Sequence, residues 1–155
     1  KSVSEVVREG IQDVRGSLNR LRPGALEGRT LKDALEKMIR EYQTLSNLQV
    51  DLHYEWVDVD MDVMIEDTIF RVIQESMTNA VRHGHASQMS LHFFEDEEDY
   101  LIELQDNGVG FETLTYGYGL KQMMERISIL GGQLQFESRD GFFTRVSLPK
   151  YKEGR

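Results

Sequence analysis

Hydrophobic spacing along the chain predicts a helix-rich start and a strand-rich end. Val7, Ile11, Val14, Leu18 and Leu21 are spaced 4-3-4-3, a heptad alternation that predicts a helix closed by Pro23-Gly24. Such a run serves either as an amphipathic helix on its own domain or as one helix of an intermolecular bundle. Thr30 is placed to cap a second helix, with Leu31, Leu35, Met38, Ile39, Tyr42 and Leu45 on one face. Val50, Leu52, Tyr54 and Trp56 then alternate with Asp51, His53 and Glu55, the pattern of a half-buried strand.

A long helix is expected from about Asp62 to His83, ending at Gly84. Strands are expected at about 88–94 and 100–106, joined by the acidic turn Glu95-Asp96-Glu97-Glu98-Asp99, which needs no role beyond solvation. A helix from about Gly119 to Leu130 turns Leu120, Met123, Met124 and Ile127 inward and stops at Gly131-Gly132. Strands at about 133–138 and 142–148 flank a turn at Arg139-Asp140-Gly141. Helices with mostly hairpin-linked strands imply a two-layer α/β sandwich, a mixed sheet covered by helices on one face.

Composition narrows the function. With 155 residues the chain suits one domain, or one domain plus a short appendage. No run approaches the roughly 18 apolar residues of a membrane span, so no membrane contact is expected of this segment. A start at Lys1 suggests a piece of something longer. The absence of cysteine removes disulfides, thiolate metal sites and cysteine nucleophiles, and suits a cytoplasmic setting. A net charge of -9 argues against direct nucleic-acid binding. A polyanionic ligand must therefore be held by local backbone N–H groups, a few cations or a metal.

Three elements carry candidate chemistry. On the long helix, Ile65, Ile69, Val72, Ile73, Ser76 and Ala80 form one stripe, and Glu75, Asn79 and Arg82 cluster at its edge. The Asn79 carboxamide is a hard Mg²⁺ ligand, Glu75 can orient a metal-bound water or a nucleophile, and Arg82 can meet phosphate oxygens. Alone, such a row is more often just a solvated helix face. The second element, Asp106-Asn107-Gly108-Val109-Gly110-Phe111, ends a strand. Asp106 can accept from an exocyclic amine such as that of adenine, and the glycines let backbone approach a flat ring. The third, Gly117-Tyr118-Gly119-Leu120, opens a helix whose free N–H groups can meet an anion. The lysine-serine ending of a phosphate-loop NTPase is missing, and no dinucleotide-binding unit surrounds these glycines.

In this order the three elements resemble the GHKL ATPase superfamily of gyrase, heat-shock protein 90, MutL and histidine kinases. In detail the chain is similar to the sensor histidine kinases that pair with NarL-type response regulators. Gln74 to His83 resembles that family's N box, Asp106 to Gly110 its G1 box, and Gly117 to Leu120 its G2 box. The stretch Met124 to Ile127 through Leu130-Gly131-Gly132, and the strand Gly141 to Thr144 ending in Leu148-Pro149, also match. The resemblance covers about residues 45 to 149. It implies an ATP-binding catalytic domain that uses ATP and Mg²⁺. Asn79 would bind the metal, with Glu75 supporting it or the attacking group, and Arg82 and His83 would lie near the phosphates. Asp106 would hydrogen-bond adenine with Thr144 nearby; Gly108 and Gly110 would border a lid; Gly117, Tyr118, Gly119 and Leu120 would close over the phosphates. Two departures stand out. The lid between Gly110 and Gly117 is only six residues long, and Gly84 replaces the usual alanine, a change expected only to loosen the helix end.

By the same resemblance, residues 1–22 are the second helix of a dimerising phosphotransfer hairpin, 23–150 the catalytic domain and 151–155 a tail. The phosphoacceptor histidine is expected on a domain outside the chain. Asp51-Leu52-His53 imitates an acceptor motif, but His53 falls in a strand pattern beside Trp56 and no acidic residue follows it. His83, His85 and His92 are placed no better. The implied partners are that acceptor domain and a NarL/LuxR-type response regulator, in a homodimeric and membrane-bound parent. A clamp ATPase, an anti-sigma-factor serine kinase and a docking module that never uses nucleotide remain the alternatives.

Overall fold

A computed structural model describes residues 26, 29–57, 59–110 and 118–150. The heptad helix, the lid and the tail lie outside them. Helix α1 (Leu31–Leu45) starts where the Thr30 hydroxyl accepts the Asp33 N–H at 3.1 Å. Leu31, Leu35, Met38, Ile39 and Tyr42 are buried as their spacing predicts, whereas Leu45, in the last turn, is 36% exposed. No glycine ends this helix; the Ser46 N–H and hydroxyl both donate to the Tyr42 carbonyl, at 2.9 and 2.7 Å.

Strand β1 (Gln49–Tyr54) leads to helix α2 (Val63–Arg82), which begins where the Asp62 carboxylate accepts the Met64 N–H at 2.8 Å. The predicted stripe is buried apart from Ile65, which is half-buried. Gln74, Met77 and Thr78 are buried as well, beyond what one stripe requires. The cause is a helix packed on two sides. Tyr42 of α1 exchanges a buried 2.7 Å hydrogen bond with Thr78, and Ser76 meets the Met123 sulfur of helix α3 (Tyr118–Ile129) at 3.9 Å.

Strands β2 (Gln88–Glu95), β3 (Asp99–Asp106), β4 (Gln133–Ser138) and β5 (Phe142–Pro149) complete a sheet of order β1-β2-β3-β5-β4. Only the β1–β2 pair is parallel, because α2 crosses between those strands. The other pairs are antiparallel. Met89, Leu91 and Phe93, then Ile102 and Leu104, then Val146 and Leu148 form the inner face, joining the buried helix residues in one core. Asp106 and Thr144 share the inner alternation and are buried with it.

The outer face is largely polar: His53 pairs in register with His92, His92 with Glu103, and Glu103 with Arg145, whose guanidinium is 3.1 Å from the Glu103 carboxylate. His53 is therefore an exposed strand residue, and His92 meets the Glu55 carboxylate. The acidic turn is more ordered than solvation alone requires. The Asp96 carboxylate accepts the Glu98 and Asp99 N–H groups at 2.8 and 2.7 Å, and Glu95 pairs with Lys150 at 2.7 Å. On α3, Leu120, Met123 and Ile127 are buried, while Met124 is only half-buried.

Candidate nucleotide site

With α1 on one flank and α3 on the other, one strip of α2 remains only half covered, and it bears Glu75, Asn79 and Arg82. The first turn of α3 packs on that strip: a β-carbon added to Gly119 would lie 2.5 Å from Glu75 Oε2. The third glycine element is thus brought against the carboxylate of the first. This first turn has no acidic residue of its own, and Glu75 supplies a carboxylate beside its N–H groups. Leu120 differs from expectation in part. Its side chain lies in the core, so only its backbone is available to a ligand. Gly117 lies outside the described residues, and of Tyr118 the backbone alone is described.

α2 ends in a double cap. The Asn79 carbonyl accepts both the His83 and the Gly84 N–H, at 2.9 and 3.1 Å, and the Ala80 carbonyl accepts the Ala86 N–H at 3.0 Å. The left-handed residue that closes such an end is His85, with φ of 51°, rather than Gly84. His83 is an exposed capping residue beside the half-buried Arg82.

The loop after β3 is fastened by its own residues. Asp106, 5% exposed, accepts the Gly108 N–H at 2.8 Å and the Phe142 N–H at 3.0 Å, both on Oδ1. No described residue engages Oδ2, so an acceptor oxygen stays open for a ligand amine. Thr144, 3% exposed, faces Leu104 across β3–β5, two residues from Asp106 on the same inner face. Gly141, with φ of +131°, is required by proximity: its β-carbon would lie 2.0 Å from the Asp106 carbonyl oxygen. Gly110, with φ of +67°, takes a conformation that L side chains rarely adopt, and it packs against Ser138 and Gly141.

Asn107 is the structural residue that sequence spacing missed. Its side-chain oxygen accepts the Ser87 and Gln88 N–H groups at 2.9 and 3.0 Å, and its amide donates to the Ser87 hydroxyl at 3.0 Å. Asn107 therefore clamps the loop to the start of β2, with both acceptor positions of its carboxamide oxygen taken up. Its place between Asp106 and Gly108 was the available signal; that the clamp's partners lie about 20 residues upstream was not visible.

The residues fit a magnesium ion as well as a nucleotide. Among the described residues, no group of three or more His, Asp or Glu side chains is placed to hold a metal. Mg²⁺ needs none, since it takes one or two protein oxygens and fills its octahedron with water and phosphate. Asn79 and Glu75, one helical turn apart, can supply those oxygens.

Residues 64–152 match the family described as histidine kinase-, DNA gyrase B- and HSP90-like ATPase. Over 147 residues the chain is 35% identical to the signal transduction histidine-protein kinase/phosphatase UhpB of Salmonella typhimurium, covering 91% of this chain and 29% of that protein. It is 29% identical over 151 residues to the sensor histidine kinase LiaS of Bacillus subtilis, covering 96% of this chain and 41% of that one. The chain thus spans less than half of either relative. In fold it superposes on the Acinetobacter baumannii histidine kinase AdeS with a TM-score of 0.68 at 19% identity, over 79% of this chain and 64% of AdeS. It superposes on the ATP-binding domain of Mycobacterium tuberculosis PrrB with a TM-score of 0.65 at 20% identity, over 77% and 93% of the two chains.

The chain belongs to the histidine kinase-, DNA gyrase B- and HSP90-like ATPase family, and its domain is the ATP-binding catalytic type found in sensor histidine kinases. Among the described residues, no helix is long and apolar enough to cross a membrane.

Proposed function

We propose that this domain binds ATP with Mg²⁺ and transfers the γ-phosphoryl group to a histidine imidazole on a dimerisation domain of its parent protein. That histidine then serves a NarL/LuxR-type response regulator, the parent is a homodimer, and this domain works in the cytoplasm. The observation that carries the reading is the convergence of two halves. Glu75 and Asn79 stand on the half-covered strip of α2, and the buried Asp106 keeps Oδ2 open, among the described residues, at the neighbouring end of β3. The names of the kinase relatives support the histidine acceptor.

Asp106 and Thr144 would read adenine, and Asn79, helped by Glu75, would hold the metal. Arg82, His83 and the backbone N–H groups opening α3 would meet the phosphates. Mg²⁺, when bound, neutralises charge on the phosphate oxygens. Glu75 would orient a water beside the metal or help position the attacking imidazole. Catalysis then consists mainly of holding the reactants in line in a site that favours the developing charge. No histidine of this chain is assigned as acceptor, so the chain should bind ATP without phosphorylating itself. Incubation with γ-labelled ATP should leave the chain unlabelled and should label an added dimerisation domain of its own parent. An acid-labile phosphate on this chain, or steady release of phosphate with the added domain unlabelled, would overturn the proposal; the second result would favour a clamp ATPase.

A further inference from the structure

Gly84 was expected only to loosen the end of α2. Instead it sits in a backbone path that joins the two halves of the site directly. The Gly84 N–H donates to the Asn79 carbonyl at 3.1 Å, and the Gly84 carbonyl accepts the Val109 N–H at 3.0 Å. One residue before Val109, the Gly108 N–H donates to Asp106 Oδ1 at 2.8 Å. Three hydrogen bonds thus run from the residue placed at the metal to the residue placed at adenine. Between them the two glycines are pressed backbone to backbone. A β-carbon on Gly108 would meet the Gly84 oxygen at 2.5 Å and its carbonyl carbon and Cα at 2.9 Å. All three atoms are backbone, so no side chain can swing aside to make room.

We propose that Gly84 and Gly108 form a positioning strut. Their contact sets the spacing between the end of α2, with Asn79, and the base of β3, with Asp106, so that one nucleotide can reach both. The inference rests on the nucleotide reading above and adds a role for Gly84. In physical terms, Asp106 is fixed by β3 and the Phe142 N–H, so its half keeps its shape if the strut is wedged apart. The end of α2 meets the loop directly at Gly84, whereas the Asn107 clamp holds the start of β2, several residues beyond Asn79. A displacement of about 1 Å between ligand-holding groups is enough to cost orders of magnitude in function, and a ligand spanning both halves would feel it. A ligand using only one half would not.

The test is the binding of adenosine and of Mg·ATP to the full chain and to its Gly108→Ala variant, followed by NMR titration. Mg·ATP affinity should fall about tenfold or more, and adenosine affinity, which feels only the local change beside Asp106, by a clearly smaller factor. Equal losses for both ligands, or no loss for either, would overturn the strut. If the wild-type chain bound neither ligand, the functional reading itself would fail, a result distinct from equal losses. Should Gly108→Ala not fold, hydrogen exchange at the Val109 amide of the wild-type chain decides instead. Protection there should rise more with Mg·ATP than with adenosine, and an unchanged rate with Mg·ATP would contradict the proposal.

Discussion

On α2 the candidate chemistry rides on side chains: Glu75, Asn79 and Arg82 project from a regular helix whose backbone is satisfied internally. At the end of β3 most of the work falls to backbone. Gly108, Gly110 and Gly141 matter for what they lack, and Asn107 for the N–H groups it collects. The helix half gets its rigidity from packing between α1 and α3; the loop half gets it from hydrogen bonds and close approaches to residues distant in sequence. A substitution in the first half should therefore change ligand binding and spare the fold, and one in the second should reach the fold.

The largest effect is expected from Gly141→Ala. Its β-carbon must displace the Asp106 carbonyl from 2.0 Å at a residue with φ of +131°, so urea unfolding should show a loss of about 3 kcal/mol or more. An unchanged midpoint would mean that this loop is softer than its contacts imply. Asn107→Ala follows, breaking three hydrogen bonds and orphaning the Ser87 and Gln88 N–H groups at an exposed site; about 1–2 kcal/mol should go. On the other half, Asn79→Ala should leave the unfolding midpoint within about 0.5 kcal/mol. It should instead remove the magnesium-dependent part of ATP binding, read by titration with and without EDTA.

The smallest effect tests the β2–β3 turn, at the opposite end of the strands from Asp106. Two backbone N–H groups hold the exposed Asp96 carboxylate below its usual pKa. A depressed carboxylate adds stability above its unfolded pKa and loses it as pH falls through the folded one. Wild type and Asp96→Asn should differ slightly at neutral pH and converge only as pH falls through the lowered Asp96 pKa, beneath the usual carboxylate value, as acid-unfolding curves would show.

The same contrast explains what the sequence made legible. The period of α2 exposed Glu75, Asn79 and Arg82 because helix geometry alone sets their common side. The period-2 strands placed Asp106 at a strand end for the same reason, and the turn at Asp140-Gly141 followed from residue type. The buried Gln74 and Thr78 were not legible, since their burial depends on α1 crossing beside α2. Nor was the Asn107 clamp, nor the Gly84–Gly108 contact: each pairs segments roughly 20 residues apart whose approach is a property of the assembled sheet. His85 taking the left-handed position in place of Gly84 belongs with these, because Gly84 is committed to the loop.

The central claim, a Mg·ATP site assembled from the Asn79 and Asp106 halves, is tested most directly by thermal melting. A ligand that binds only the folded chain raises its melting temperature by mass action. ATP with Mg²⁺ should raise the melting temperature of the wild-type chain. Asn79→Ala should lose the magnesium-dependent part of that rise, and Asp106→Ala the preference for ATP over GTP. A wild-type melting temperature unmoved by saturating ATP and Mg²⁺ would contradict the account.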